Sequence, residues 1–522
     1  MNVKKLMAVA LLAPVLALCA LALPARADLP RPDPSVAEFA RGVKFTVAGY
    51  TESEVLTNFP VLVRLSTAIT GFKYSDFYAD GSDLSLVDIG FVDAEGNGLA
   101  YDIDTWNPSG ESLVWVSLPR MTNGTEFAMW YRSSKTGKAL NSDNVWADYT
   151  GVWHLNESGT AGTIINDSST NVLSGTAQGK SASVAAGRIG GSWRISDVYD
   201  RKDAGIVVDA SVATKNAALN ALGSTFHVSF WFKTTSTGNN AKWCVLIGRR
   251  GSGSDAGWAL QLHEPWNQLR VYGNGGEKNA FRQIGTMNGL AADTWAKIDT
   301  IWYADNNGKG RAKVFYNGSP SGDDAFWKDE GAVSQIDDLD FVIGNFANLT
   351  SDRALYGVMD EVRLSAGTTS AARVKADYDT VTNAAFLTAG SVEKVTVIER
   401  PVANLQVVDT GASHIQFGNA ISSLGSSNAT ECTFNVKVWK TVESEPAGYT
   451  ALATGLTVGA LTGRVKGLTP ETAYSYKIKV TNNEGVDSDE VTGAFTTSGA
   501  GVGGTGGDMT RVGDDWIHYF RV

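Results

Sequence analysis

Cysteine is scarce in this chain, with three residues in 522. Cys19 lies in an apolar leader, so a processed chain keeps only Cys244 and Cys432, which fall in separate modules by the reading below. A disulfide-stapled scaffold is thereby excluded, and the fold must rest on hydrophobic cores. Both thiols read as small buried apolar side chains. Histidine is rarer than its usual share, five in all, and no pair has the HExxH spacing of a zinc protease. There is no G-x-S-x-G nucleophile elbow and no Walker loop. Positive charge is in deficit, 44 Lys and Arg against 55 Asp and Glu, a formal net of -11. Such an acidic chain is a poor nucleic-acid binder, and it has no polybasic patch for a membrane surface. Long amphipathic helical patterns are few. Beyond the leader, no apolar run reaches transmembrane length.

What is present is glycine, 56 residues, and aromatics, 10% of the chain. They punctuate short alternating segments, the pattern of several all-β units, and the length suggests about three domains. Residues 1–27 read as a secretory signal: Lys4 and Lys5, an apolar run from Leu6 to Leu23, then Ala25-Arg26-Ala27. Cleavage there removes three basic residues and no acid, taking the formal charge from -11 to -14. An uncleaved anchor is the rival, but Pro14 and the small-residue exit favour cleavage. Cys19 follows Leu18, which is too large for a lipoprotein site. The expectation is a secreted or cell-surface protein outside the inner membrane, with no transmembrane segment after processing.

Residues 28–41 form a leader with Pro30, Pro32 and Pro34. Strand signals then recur through residues 42–150: FPVLVRL (59–65), LSLVDIGFVD (84–93), LAYDIDTW (99–106), SLVWVSL (112–118) and FAMWY (127–131). In LAYDIDTW, Leu99, Tyr101 and Ile103 share one face and Asp102 and Asp104 the other, as in a half-solvated antiparallel strand. The series ends in VWADYTGVWHLNES (145–158), and its order resembles a bacterial surface-protein domain of unknown function, family 2341. That resemblance implies export and a laminin G-like neighbour, but no activity.

Residues 151–380 carry FHVSFWFKT (226–234), GWALQLH (257–263), AKVFYNG (312–318) and MDEVRLS (359–365). Phe226, Val228, Phe230 and Phe232 alternate toward one face, as do Trp258, Leu260 and Leu262, and Asn317-Gly318 is a strong hairpin turn. In this order the segments resemble the laminin G-like, concanavalin A-type jelly roll, a fold used mostly to bind sugars and proteins. Residues 395–498, with LTPETAY (468–474), are similar to a fibronectin type III sandwich, in which Tyr474 would tie a loop to its strand. Residues 499–507 (GAGVGGTGG) form a flexible linker. In the tail, 508–522, Trp516–Val522 is strand-like with no partner after it, so it reads as the start of a further module or as a strand added to another sheet. The expected fold class is all-β, tandem β-sandwiches.

Counted by twos, Val358, Asp360, Val362 and Leu364 share a face, which puts a carboxylate among apolar side chains. The resemblance implies a structural calcium there, with Glu157 or Asp167 opposite Asp360. The alternative is that Asp360 accepts backbone N–H groups from a neighbouring loop. Glu361 and Arg363 are expected to face solvent. Trp243, Trp258, Trp266 and Tyr272 cluster among amides; Trp258 has core parity, whereas Trp266 sits in a loop beside Pro265. Flat rings flanked by amides suit a sugar face and its hydroxyls, so Trp266, His263, Asn267 and Tyr272 are the candidate ligand-binding residues. His154 reads as structural. Glycosidic hydrolysis needs two carboxylates flanking the bond. The acidic runs at 101–104 and 335–340 contain no Glu, unlike the Glu-x-Asp-x-x-Glu runs of jelly-roll glucanases. No catalytic residue is assigned. The expected function is non-catalytic recognition of polysaccharide by an exported protein. A protein-binding adhesin or structural surface component is the first alternative, and a glycoside hydrolase the second.

Overall fold

A computed structural model describes residues 39–77, 87–133, 145–198, 202–235, 243–251, 257–263, 268–273, 281–287, 289–322, 325–349, 352–394, 400–425, 429–499, 508–512 and 515–519. The chain is all-β, built as a series of β-sandwiches. Its α-helices among the described residues are α1 (Ala213–Asn220) and α2 (Ala371–Thr382).

In the first unit one sheet has the order Leu387–Ala389, Phe39–Val47, Glu126–Ser133, Ile89–Asp93, Gly98–Leu99, with Glu393–Lys394 also on Phe39–Val47. The facing sheet is Leu56–Leu65, Ser112–Met121, Tyr101–Thr105. Val61, Val63, Val114 and Val116 point into the core between the two, against Phe45, Phe91 and Met129. The intervening Leu62, Leu113 and Trp115 point the other way, into a second apolar layer with Trp146, Val152, Ile189 and Trp231. The central strands are therefore buried on both faces, which accounts for unbroken apolar runs such as PVLV.

That second layer joins the first unit to the next. There, a sheet of strands Ala182–Val184, Ser192–Ser196, Gly357–Ala366, Phe226–Thr234, Ala296–Ala304, Lys309–Tyr316 and Ser319–Pro320 packs on an opposing sheet. The opposing sheet runs Phe281–Thr286, Gln268–Tyr272, Trp258–His263, Val245–Arg249, Phe341–Ile343, Gly205–Val208, Gly175–Gln178, Ile164–Ile165. Phe226, Val228, Phe230, Phe232, Trp258, Leu260 and Leu262 all lie in the core between them, as their alternation requires.

After the second unit the chain enters α2, capped by the Ser370 hydroxyl, which accepts the Arg373 N–H. It then returns to the first unit, where Leu387–Ala389 pairs with Phe39–Val47. The second unit is thus an excursion between two parts of the first sheet. A third sandwich follows: Val402–Thr410, His414–Ser423 and Gly459–Lys466 in one sheet, Thr450–Leu456, Cys432–Lys440, Ala473–Asn482 and Val491–Thr496 in the other. The Tyr474 hydroxyl accepts the Thr469 N–H, the loop tie expected of it. Cys244 and Cys432 are buried in separate cores and form no disulfide with each other. In the tail, Asp515–Tyr519 pairs with Asp508–Val512, which precedes it, in a hairpin.

Candidate functional site

The seam between the first two units opens at one end into a cleft of about 840 Å3. Its first wall comes from Tyr101–Thr105 and the following turn, with Asp102, Asp104, Trp106, Asn107 and Glu111. The second unit supplies His154, Asn156, Glu157, Ser158, Asn166 and Ser183. Asn107, Asn156, Ser158 and Asn166 are exposed, and the Trp106 ring is half-buried against Tyr74 and Phe77.

At the inner end lies a buried ionic network. Gly357–Ala366 carries a β-bulge: pairing with Phe226–Thr234 slips between Ser229 and Trp231, and Glu361 sits at φ 48°. The extra residue switches the strand's parity. Met359, Val362 and Leu364 face the core, whereas Asp360 and Arg363 are buried at the opposite face. This corrects two expectations. Asp360 does not share the face of Val362 and Leu364, and Glu361 and Arg363 are not solvated, being 2% and 4% exposed. The first unit covers them.

Arg363 donates to Glu361 Oε2 through Nε and Nη2 (3.2 and 2.8 Å) and to Asp377 Oδ1 through Nη1 (2.9 Å). Its guanidinium centre lies 4.4 Å and 4.7 Å from the ring centroids of Trp115 and Trp146. Asp377 is also paired with Lys297 at 2.7 Å, and Lys297 with Asp299.

His154 follows the strand Gly151–Trp153 and is buried between Trp153 and Leu155. Its Nδ1 is 2.6 Å from Glu361 Oε1 and 3.3 Å from Asp104 Oδ2, and its Nε2 is 3.2 Å from Asp102 Oδ2. Asp102 in turn accepts the Trp146 indole N–H at 2.7 Å. Burial opposes a charge on His154, but Glu361, Asp102 and Asp104 outweigh it and raise the imidazole well above its usual range. Burial, aided by Glu361, pushes the Asp104 carboxyl up to about 7 against the pull of His154. Asp102 and Asp104 were expected on a solvated face; the second unit covers that face instead.

Asp360 is fully buried. Its Oδ2 accepts the backbone N–H groups of Arg188 and Ile189 at 2.6 and 2.9 Å, which is the loop-clamp alternative. Burial, with Glu361 beside it, raises its carboxyl well above the ordinary range. Glycine permits the loop's close approach: a Cβ on Gly190 (φ +57°) would lie 2.5 Å from Asp104 Oδ1.

The calcium ligands expected from the sequence do not converge. Asp167 spends both oxygens on Val152, Ser169 and Leu173. Glu157 Oε1 accepts the Asn166 N–H. Among the described residues, the group whose donor atoms lie within 4.8 Å of one another is Asp104, His154 and Glu361, and it includes none of Asp360, Glu157 and Asp167. Of the expected ligand-binding residues, Trp266 and Asn267 lie outside the described residues, as does the His263 side chain. Tyr272 is half-buried, donating its hydroxyl to Gln261 Oε1 at 3.0 Å beneath the Arg250 guanidinium. The seam was missed because its parts come from distant segments. The available signal was a histidine between two core residues in VWHL, together with strands apolar on both faces.

Residues 205–375 match the family model described as the concanavalin A-like lectin/glucanases superfamily. The match lies within the second unit and supports a jelly-roll fold for its two facing sheets. No curated protein matches the chain. Among solved structures, the CBM40 of the Ruminococcus gnavus IT-sialidase bound to α2,3-sialyllactose is 15% identical, covering 33% of this chain and 92% of its own (TM-score 0.27). A native heptameric SAP-like pentraxin from Limulus polyphemus is 12% identical, covering 30% and 70% (TM-score 0.24). The Trypanosoma rangeli sialidase with the inhibitor DANA is 13% identical, covering 56% and 44% (TM-score 0.30). Likeness of this degree carries no argument about ligand or site.

Proposed function

We propose that this chain is an exported, non-catalytic recognition protein that binds polysaccharide in the cleft between its first unit and the jelly roll. The observation that carries the reading is the cleft. Its volume suits a short glycan segment, and amides, hydroxyls and carboxylates surround the half-buried Trp106 ring. Sugar hydroxyls need such donors and acceptors, and a pyranose face needs a flat apolar partner. The lectin-type fold of the second unit is in keeping with this, as is the secretory leader read from residues 1–27.

The test is a glycan array probed with the whole chain, because the cleft needs both units. Binding to a defined class of polysaccharide is expected, weakened at least about tenfold, or 1.4 kcal/mol, by Asn166→Ala and by Trp106→Ala. Absence of glycan binding, with tight binding to cells stripped of polysaccharide, would replace this reading with a protein-binding adhesin. Release of reducing sugar by the purified chain would replace it with a hydrolase.

A further inference from the structure

We propose that Asp104, His154 and Glu361 form a site for one divalent transition-metal ion at the inner end of the cleft. The three donor atoms, Asp104 Oδ2, His154 Nδ1 and Glu361 Oε1, already converge within 4.8 Å. Each ligand is held from behind by its other polar atom. Asp104 Oδ1 accepts the Thr105 hydroxyl at 2.7 Å, His154 Nε2 meets Asp102, and Glu361 Oε2 is fixed by Arg363. This is the outer shell that orients metal ligands, and a carboxylate behind a ligating imidazole is its commonest element.

A second, independent observation points to a missing ligand. Asp104 is 7% exposed, and its Oδ2, aimed into the cluster, has no hydrogen-bond partner. An orphaned buried carboxylate oxygen is costly. Its one cationic neighbour, His154 Nδ1 at 3.3 Å, is held more closely by Glu361 at 2.6 Å, while Arg363 is shared by Glu361 and Asp377, and Lys297 by Asp377 and Asp299.

Bonds of about 2.0–2.2 Å to imidazole and carboxylate leave neighbouring donors roughly 3 Å apart. The 3.3 Å separation of Asp104 and His154 suits that, and the 2.6 Å contact of His154 with Glu361 opens slightly when a cation replaces the bridging proton. One imidazole with two carboxylates selects zinc, manganese, cobalt or iron rather than calcium, which prefers oxygen alone. Asp104 and His154 both line the cleft, so a further coordination position faces it. The inference does not depend on the glycan reading.

The experiment uses untagged whole chain stripped with chelator, titrated with Zn2+ by calorimetry and with Co2+ by visible absorption. One ion per chain is expected, with a melting temperature that rises saturably with Zn2+. His154→Gln and Asp104→Asn should abolish the cobalt bands, and Asp102→Asn should weaken binding about 10–100-fold by loosening the imidazole. If His154→Gln fails to fold, the cobalt spectrum of Asp104→Asn, a substitution of nearly unchanged shape, decides. No saturable response to Zn2+, Mn2+ or Co2+ overturns the proposal. So does binding that survives Asp104→Asn unchanged, or a response to Ca2+ alone that persists in both variants.

Discussion

Arg363 and Asp377 hold opposite sides of the jelly roll's outer face, one on a strand and the other on α2. Removing one partner of such a buried pair leaves an uncompensated charge, a loss of about 3–5 kcal/mol. Glu361→Ala, which strands Arg363 in part, should therefore lower urea-derived stability by roughly that amount. A cost near zero would mean that the residue is solvated after all. Asp377 also fixes an acid limb. Burial works against its charge, but Lys297 and Arg363 outweigh it and hold the folded carboxyl far below its ordinary value. Its stabilisation is complete above the unfolded carboxyl's pKa and disappears as pH falls through the folded one. Melting temperature should therefore fall progressively below about pH 4–5, and Asp377→Asn should flatten that limb while lowering stability at neutral pH. At this scale the sequence was half legible. An Asp in an apolar strand marked Asp360 as buried and bonded, but no residue type announces a bulge at Glu361, so the faces of its neighbours were misassigned.

Helix α2 is short, yet it touches three layers. Val374 packs with Ile301 and Phe315, Ala376 reaches the first unit's core, and Val381 enters the seam with Leu62 and Trp115. The Thr380 hydroxyl accepts the N–H of Leu62 at 3.0 Å, and Arg373 donates to the carbonyls of Thr57 and Asn58. Thr380→Val keeps the shape and leaves that buried N–H without an acceptor, at a cost of about 1–3 kcal/mol. Chemical denaturation should show the loss, and amide exchange at Leu62 should quicken. An unchanged exchange rate would place the helix off the first unit. The strands themselves were readable wherever one face was apolar and the other polar, as in Phe226–Thr234 and Trp258–His263. Strands apolar on both faces, such as Leu56–Leu65, were recognised as strands, but the layer covering their second face was not. What lies over a face is set by distant parts of the chain, which local periodicity does not encode.

Seen whole, residues 39–394 enclose two sandwiches that share a buried layer and a returning strand, whereas the third sandwich has a core of its own. Cooperativity follows buried contact, so the first two units should melt together and the third apart from them. Calorimetry of the whole chain is expected to show two transitions. Separate melting of residues 39–133 and 151–366 would contradict a shared core. A fragment of residues 151–380 provides the sharper test. It lacks Leu62, Leu113, Trp115 and Trp146, so Val152, Ile189 and Trp231 become wet. At about 1.5–3 kcal/mol for each buried apolar side chain, the loss is several kcal/mol, and each kcal/mol lowers the melting point by about 2–4 °C in a domain of this size. Arg363, Glu361 and Asp360 lose their cover as well, and His154 loses Asp102 and Asp104. The fragment should therefore melt at least about 10 °C below the first transition of the whole chain, and it should lack the cleft. A fragment as stable as the whole chain, with glycan affinity intact, would move the binding surface off the seam and onto the jelly roll alone.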